Sequence, residues 1–191
     1  MVEPMTVESE RTTYVLIDGE NIDATLGASI FGRRPHPNER PRWERILTFA
    51  ETTWGQPAKG LFFLAVKDDL PMSFIQALVS IGYRPIPLSG GPTDKVVDIA
   101  IQRTLAELEN RNADLMLVSN DGDFLPQMER LLDGRRMGLL AFREFKNSGF
   151  AALIDRGLEF FDLEYDVVAF NERLPRLRII PIDEFDPRDF L

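Results

Sequence analysis

The chain has no cysteine, which removes disulfide frameworks, Cys-ligated zinc, iron–sulfur clusters and thiol nucleophiles. It has one histidine, His36, so imidazole chemistry has little to draw on. No apolar run approaches the ~18 residues that a membrane-spanning helix needs. Residues 1–11 are acidic and polar and lack the apolar core of a signal peptide, so the expected location is the cytoplasm. Positive charge is also short: 22 Lys plus Arg face 31 Asp plus Glu, a formal net charge of −9. Taken whole, that balance argues against blanket nucleic-acid binding, because phosphate backbones attract basic surfaces. Any chemistry here must come from carboxylates, amides, hydroxyls, Lys and Arg.

What is present is an ordinary globular composition, 44% apolar and 28% charged over 191 residues, enough for one domain with extensions. Short apolar runs alternate with helical patterns. Strands are expected at 14–17, 61–66, 83–86, 115–118, 137–142 and, briefly, 158–161. Helices are expected at 21–30, 42–53, 72–81, 94–110 (with Thr93 as its cap), 124–132 and 150–154. The strands are continuously apolar rather than alternating. That predicts an α/β fold, a doubly wound parallel sheet with helices on both faces. Residues 1–12 read as a frayed lead-in, 13–162 as the domain and 163–191 as an acidic extension, packed on the domain or trailing from it.

In open parallel sheets, ligands bind beyond the carboxyl ends of the strands. Strand one exits into Asp18-Gly-Glu-Asn21 and strand four into Ser119-Asn-Asp121-Gly-Asp123. A strand order 3-2-1-4-5 makes these exits neighbours. Each residue also has a plain reading. Asp18 before glycine forms turns, Asn21 caps helices, Ser119 binds local backbone, and Asp123 is placed to cap the next helix. On the long helix, Asp98 shares a stripe with Ile101, Leu105 and Leu108, which predicts a carboxylate on the buried edge. Asp94 lies a turn earlier, and Lys95 is the local cation.

If Asp18, Asp98, Asp121 and Asp123 converge, they repel. Two carboxylates at about 4 Å cost roughly 4 kcal/mol at an effective dielectric of 20. A fold with about 5–15 kcal/mol of stability tolerates few such pairs. Raised pKa values or a divalent cation are the remedies. A set of carboxylates without His or Cys favours Mg²⁺ or Mn²⁺, ions suited to activating water against a phosphodiester.

The elements Asp18-Gly-Glu-Asn21-Ile22, Asp94-Lys95-Val-Val-Asp98 and Ser119-Asn-Asp121-Gly-Asp123-Phe124, in this order, resemble the NYN-domain nucleases. That group includes the LabA-like proteins and lies within the PIN-like superfamily. The resemblance covers Tyr14 to Asp162. It implies a Rossmann-like sheet, an acidic metal site and Mg²⁺- or Mn²⁺-dependent ribonuclease activity, expected to be endonucleolytic. It makes Asp18, Asp98, Asp121 and Asp123 metal ligands, directly or through water. Asn21 would position water or substrate, Ser119 would hold the acidic loop, and Lys95 would meet a phosphate oxygen. Many relatives have glycine where this chain has Asn120. Related domains often pair, which makes a homodimer an expectation.

Between residues 33 and 45 there are five Arg and two Glu, with His36 and Trp43 interleaved. Arg33, Arg34 and Arg40 are candidate RNA contacts, with His36 or Trp43 as a stacking ring; the plain reading is a solvated loop with Trp43 in the core. Arg143 and Lys146, after strand five, are further candidates for the same rim. Two rivals stay open. One is a non-catalytic module that binds RNA or protein. The other is a haloacid-dehalogenase-like phosphatase, against which Glu20 and Ile22 count, because that chemistry needs Asp and usually Thr there. The net charge itself divides unevenly: −3 over residues 1–10, −1 over 11–154 and −5 over 155–191. The domain is nearly neutral. The acidic extension is therefore expected to screen a basic surface or to recruit a protein partner.

Overall fold

The computed structural model describes residues 11–177 and 179–191. Most of the expected lead-in therefore lies outside the described residues, although Thr12 already belongs to the first strand. Six strands form one parallel sheet: β1 (Thr12–Ile17), β2 (Ala58–Ala65), β3 (Tyr83–Leu88), β4 (Ala113–Val118), β5 (Met137–Ala141) and β6 (Glu159–Asp162). Their order is β3-β2-β1-β4-β5-β6. This is the expected order with one strand added at the edge. Six helices cover the sheet: α1 (Gly19–Thr25), α2 (Trp43–Trp54), α3 (Met72–Ser80), α4 (Val96–Leu108), α5 (Leu125–Arg130) and α6 (Phe150–Ile154).

The apolar strands bury both faces. Val15 and Ile17 of β1 point into a core with Ile22, Leu26, Trp43, Ile46, Ala50 and Leu78, contributed from α1 through α3. Leu16 points the other way, toward Val97, Ile101, Leu105, Met128 and Phe150 of α4, α5 and α6. Alternation along a strand thus feeds two helical layers. Leu163, Val167, Ala169, Phe170 and Leu174 pack into the first core. The described chain beyond them exposes Leu177, Ile179, Ile182, Phe185 and Phe190.

Several local expectations change. The first helix gives way after Thr25 to a π-helical segment, Leu26–Phe31, ended by Gly32 in the left-handed region (φ 66°). The fourth helix starts at Val96, so Thr93 does not cap it. Asp94 instead lies in the preceding turn and accepts from the Gly91 N–H at 2.6 Å. The buried stripe of α4 is Val97, Ile101, Leu105 and Leu108. Asp98 sits on its flank, 20% exposed, because the carboxylate turns toward the strand exits and Lys95 rather than into the core. The cap after β4 is Asp121, whose Oδ1 accepts from the Asp123 N–H at 2.9 Å; Asp123 itself caps nothing.

Candidate metal and nucleic-acid site

Parallel pairing of β1 with β4 aligns Ile17 with Val118, so the next residues, Asp18 and Ser119, emerge side by side. Asp18 is 1% exposed. Its Oδ2 accepts from the Ser119 hydroxyl at 2.7 Å, and its Oδ1 from the Asn21 N–H at 3.3 Å. Burial pushes the Asp18 carboxyl up to about 6; those two hydrogen bonds oppose the shift, and the charges of Asp98 and Asp121 add to it. Ser119 works in both directions, since its Oγ also accepts from the Asp121 N–H at 3.1 Å.

Asn120 is the bracket of the site. Its backbone N–H and side-chain Nδ2 both donate to Asn21 Oδ1, at 2.8 and 3.2 Å, and its Oδ1 accepts from the Phe142 N–H at 2.9 Å. It therefore ties α1, the acidic loop and the end of β5 together, and glycine at this position would lack the side chain that does so. Its role was not apparent from sequence; the one hint was its departure from the family's glycine. Asn21 spends its side-chain oxygen on this bracket. Gly122 is required by contact: a Cβ there would come within 2.5 Å of the Asn147 side chain, and Asn147 donates its N–H to the Asn120 carbonyl at 2.9 Å. Gln102 of α4 donates to the Asp123 carbonyl at 3.1 Å, which fixes the loop from the other side.

These supports bring Asp98, Asp121 and Asp123 together, with one carboxylate oxygen of each within 4.8 Å of the others. Asp18 is not part of that trio. It lies behind it, close enough for Asp98 and Asp121 to act on its titration. Lys95 is the local counter-charge, its Nζ 3.2 Å from Asp123 and 3.4 Å from Asp98. Three oxygen donors, partly open to solvent and faced by one exposed ammonium, suit a hard divalent cation. A cleft of about 820 Å³ opens beside them, lined by Glu20, Lys67, the Ser89–Gly91 loop, Lys95 and Asp98.

The basic candidates are distributed differently. Arg33 ion-pairs with Glu39 at 2.7 Å and Arg40 with Asp23. Arg34 is exposed and lines a second, apolar pocket near Glu20. His36 is exposed, and its N–H donates to Glu39. Trp43 is buried edge-on to Phe62, with ring centroids 4.9 Å apart. Arg143 and Lys146 both lie over the Phe160 ring, at 5.5 and 5.1 Å, and Arg143 reaches Glu184 of the C-terminal segment at 3.4 Å.

The NYN-domain family model matches residues 12–164, all six strands and the whole acidic site. The chain belongs to the NYN-domain family. No curated protein matches it. A crystal structure of a protein of unknown function from Vibrio parahaemolyticus shares the fold, with a TM-score of 0.64 and 16% identity over 85% of this chain and 98% of that one. This NYN domain thus has a nuclease-like fold and an acidic group compatible with metal binding. No described helix is long and apolar enough to cross a membrane.

Proposed function

We propose that this NYN domain is a ribonuclease that requires Mg²⁺ or Mn²⁺. The observation that carries the reading is the Asp98–Asp121–Asp123 trio, held within 4.8 Å at the carboxyl ends of the central strands. These three side chains would hold the cation, with Asp18 behind them. When bound, such an ion supplies Lewis acidity, lowering the pKa of water and offsetting charge on a phosphoryl oxygen. The protein's own part is positional. Ser119, Asn120 and Gln102 fix the acidic loop and so limit how far its carboxylates must move to take up the ion. Lys95 is the exposed cation at the mouth, placed to meet a phosphate oxygen. The phosphatase alternative is disfavoured by the setting of Asp18: a nucleophile needs an open lone pair, and this carboxylate is buried with both oxygens engaged.

The test is cleavage of end-labelled single-stranded RNA with Mg²⁺, with Mn²⁺ and with EDTA, beside single-stranded DNA. Cleavage of RNA with either ion and none with EDTA is expected. Asp121→Asn should lower the rate by on the order of 10²–10³-fold, the loss of a few kcal/mol of transition-state stabilisation, while the protein still folds. Cutting of a circular RNA would establish endonuclease action. No cleavage with either ion, or wild-type cleavage by Asp121→Asn, overturns the reading.

A further inference from the structure

We propose that an aromatic pocket next to the acidic cleft seats one unpaired nucleobase of a single-stranded RNA, an inference that rests on the ribonuclease reading for its choice of ligand. The pocket encloses about 300 Å³ between the start of α1, the end of β2, the start of α3 and the arginine-rich loop. That is the small end of the range for ligand sites, room for one planar ring system rather than a stretch of strand. Phe62 lies at its base, with Trp43 and Phe74 set edge-on to it at 4.9 and 5.5 Å. Phe74 is 38% exposed, an aromatic ring open to solvent where most of the described aromatic rings are covered.

Position and charge choose the occupant. Glu20 lines both this pocket and the cleft that holds Asp98, so the two share a wall two residues from Asp18. That wall is built close: a Cβ on Gly19 would come within 2.7 Å of the Phe62 ring, so α1 is seated directly on it. Glu20, Asp23 and Arg40 also line the pocket; Arg40 takes up both oxygens of Asp23, and Glu20 accepts from the Ala65 N–H with one oxygen, so its other oxygen is the acceptor for an N–H of a base edge. Arg34 also lines it and has no ion-pair or hydrogen-bond partner for its guanidinium among the described residues, unlike Arg33 and Arg40. A free cation beside a small, mainly apolar aromatic pocket fits a nucleotide whose base goes in and whose phosphate stays outside at Arg34. A paired base cannot enter, so the site selects unpaired strands.

The experiment measures binding, so it does not depend on cleavage. The Asp121→Asn protein with Mg²⁺ is titrated with a short fluorescent oligoribonucleotide, with a set of the same oligonucleotide abasic at one position each, and with its duplex. One abasic position should weaken binding about tenfold, the range for loss of one stacked base. Phe74→Ala should weaken the intact strand by the same factor and abolish the abasic effect. Arg34→Ala should flatten the salt dependence by about 0.7 in log–log slope, the contribution of one phosphate contact on a single strand. The duplex should bind at least tenfold more weakly. Equal binding of every abasic strand, an abasic effect that survives Phe74→Ala, or no RNA binding at all overturns the pocket. If wild type cleaves RNA while the pocket test fails, the ribonuclease reading stands. If wild type cleaves nothing while the abasic and Phe74→Ala effects coincide, the pocket stands and the nuclease reading falls.

Discussion

Two acidic clusters sit at the carboxyl end of this sheet, and they solve their electrostatics in different ways. At the β5–β6 edge, Glu144, Glu164 and Asp162 surround Arg176, which is 6% exposed. Arg176 ion-pairs with Glu144, lies 3.0 Å from Glu164 and 4.0 Å from Asp162, and stacks over Phe142. Backbone donors take up the remaining oxygens: Asp162 accepts from Arg143, Glu164 and Tyr165, and Glu164 from Leu174. At the β1–β4 exits, Asp18 is just as buried but has no cation of its own among the described residues, and the cation that the trio in front of it meets among them is an exposed lysine. The first cluster carries its counter-ion in the chain and acts as a latch for the C-terminal segment. The second leaves the counter-charge largely to solvent or a ligand, which is what separates a binding site from a structural one.

Removing the built-in cation should give the largest effect. Arg176→Ala takes from three largely buried carboxylates the cation between them and leaves them only backbone donors, a change worth about 3–5 kcal/mol. Urea unfolding should show the loss, and Mn²⁺ affinity of the surviving fold should be unchanged. A loss under about 1 kcal/mol would mean the latch is ornamental and the contrast between the clusters is false.

The reverse change should stabilise the other cluster. Asp18 titrates at about 6 in the fold against 3.8 unfolded, so the folded state holds its proton longer. The contribution of Asp18 to stability is therefore greatest below about pH 4, falls as pH rises toward about 6, and is flat above. The fall is on the order of 3 kcal/mol. Asp18→Asn can keep both hydrogen bonds, accepting from Asn21 and donating to Ser119. In the absence of metal it should be more stable than wild type by about 1–3 kcal/mol at pH 7.5, and no different at pH 3.5. Saturating Mn²⁺ should erase the advantage. Equal pH profiles for the two proteins would mean that Asp18 carries no electrostatic strain.

How much of this was written in the sequence depends on range. The parallel sheet followed from short apolar runs between helices, its order from bringing the two acid-rich strand exits together, and the acidic loop from its position after an apolar strand. The runs and the exits are local patterns. Three features were not local. Asp98 matches the period of the buried stripe, and only the turn of its side chain toward Lys95 moves it to the flank. Asp121 and Asp123 are equivalent as letters, and the backbone decides which one caps. Arg176 lies in a stretch without periodicity, and its partner Glu144 belongs to another part of the chain. The aromatic pocket is hidden for the same reason: Trp43, Phe62 and Phe74 each read as core in their own segment and form a cavity only when three elements meet.

The finest test concerns Lys95, the cation that meets the open cluster among the described residues. It is exposed, and its ammonium is held above its usual pKa by hydrogen bonds to Asp123 first and Asp98 second, so it stays charged across the working range. An ammonium near the trio opposes a divalent cation electrostatically, yet the same charge attracts RNA. Lys95→Met should therefore move two affinities in opposite directions. Mn²⁺, followed by isothermal titration without RNA, should bind a few-fold more tightly. RNA binding to the Asp121→Asn background should weaken, with the log–log salt slope shallower by about 0.7. Thermal stability should hardly change, because an exposed pair contributes little. If both affinities fall, Lys95 holds the acidic loop in place rather than balancing its charge. If neither moves, the open cluster has no counter-charge from the chain at all, and the contrast with Arg176 becomes sharper still.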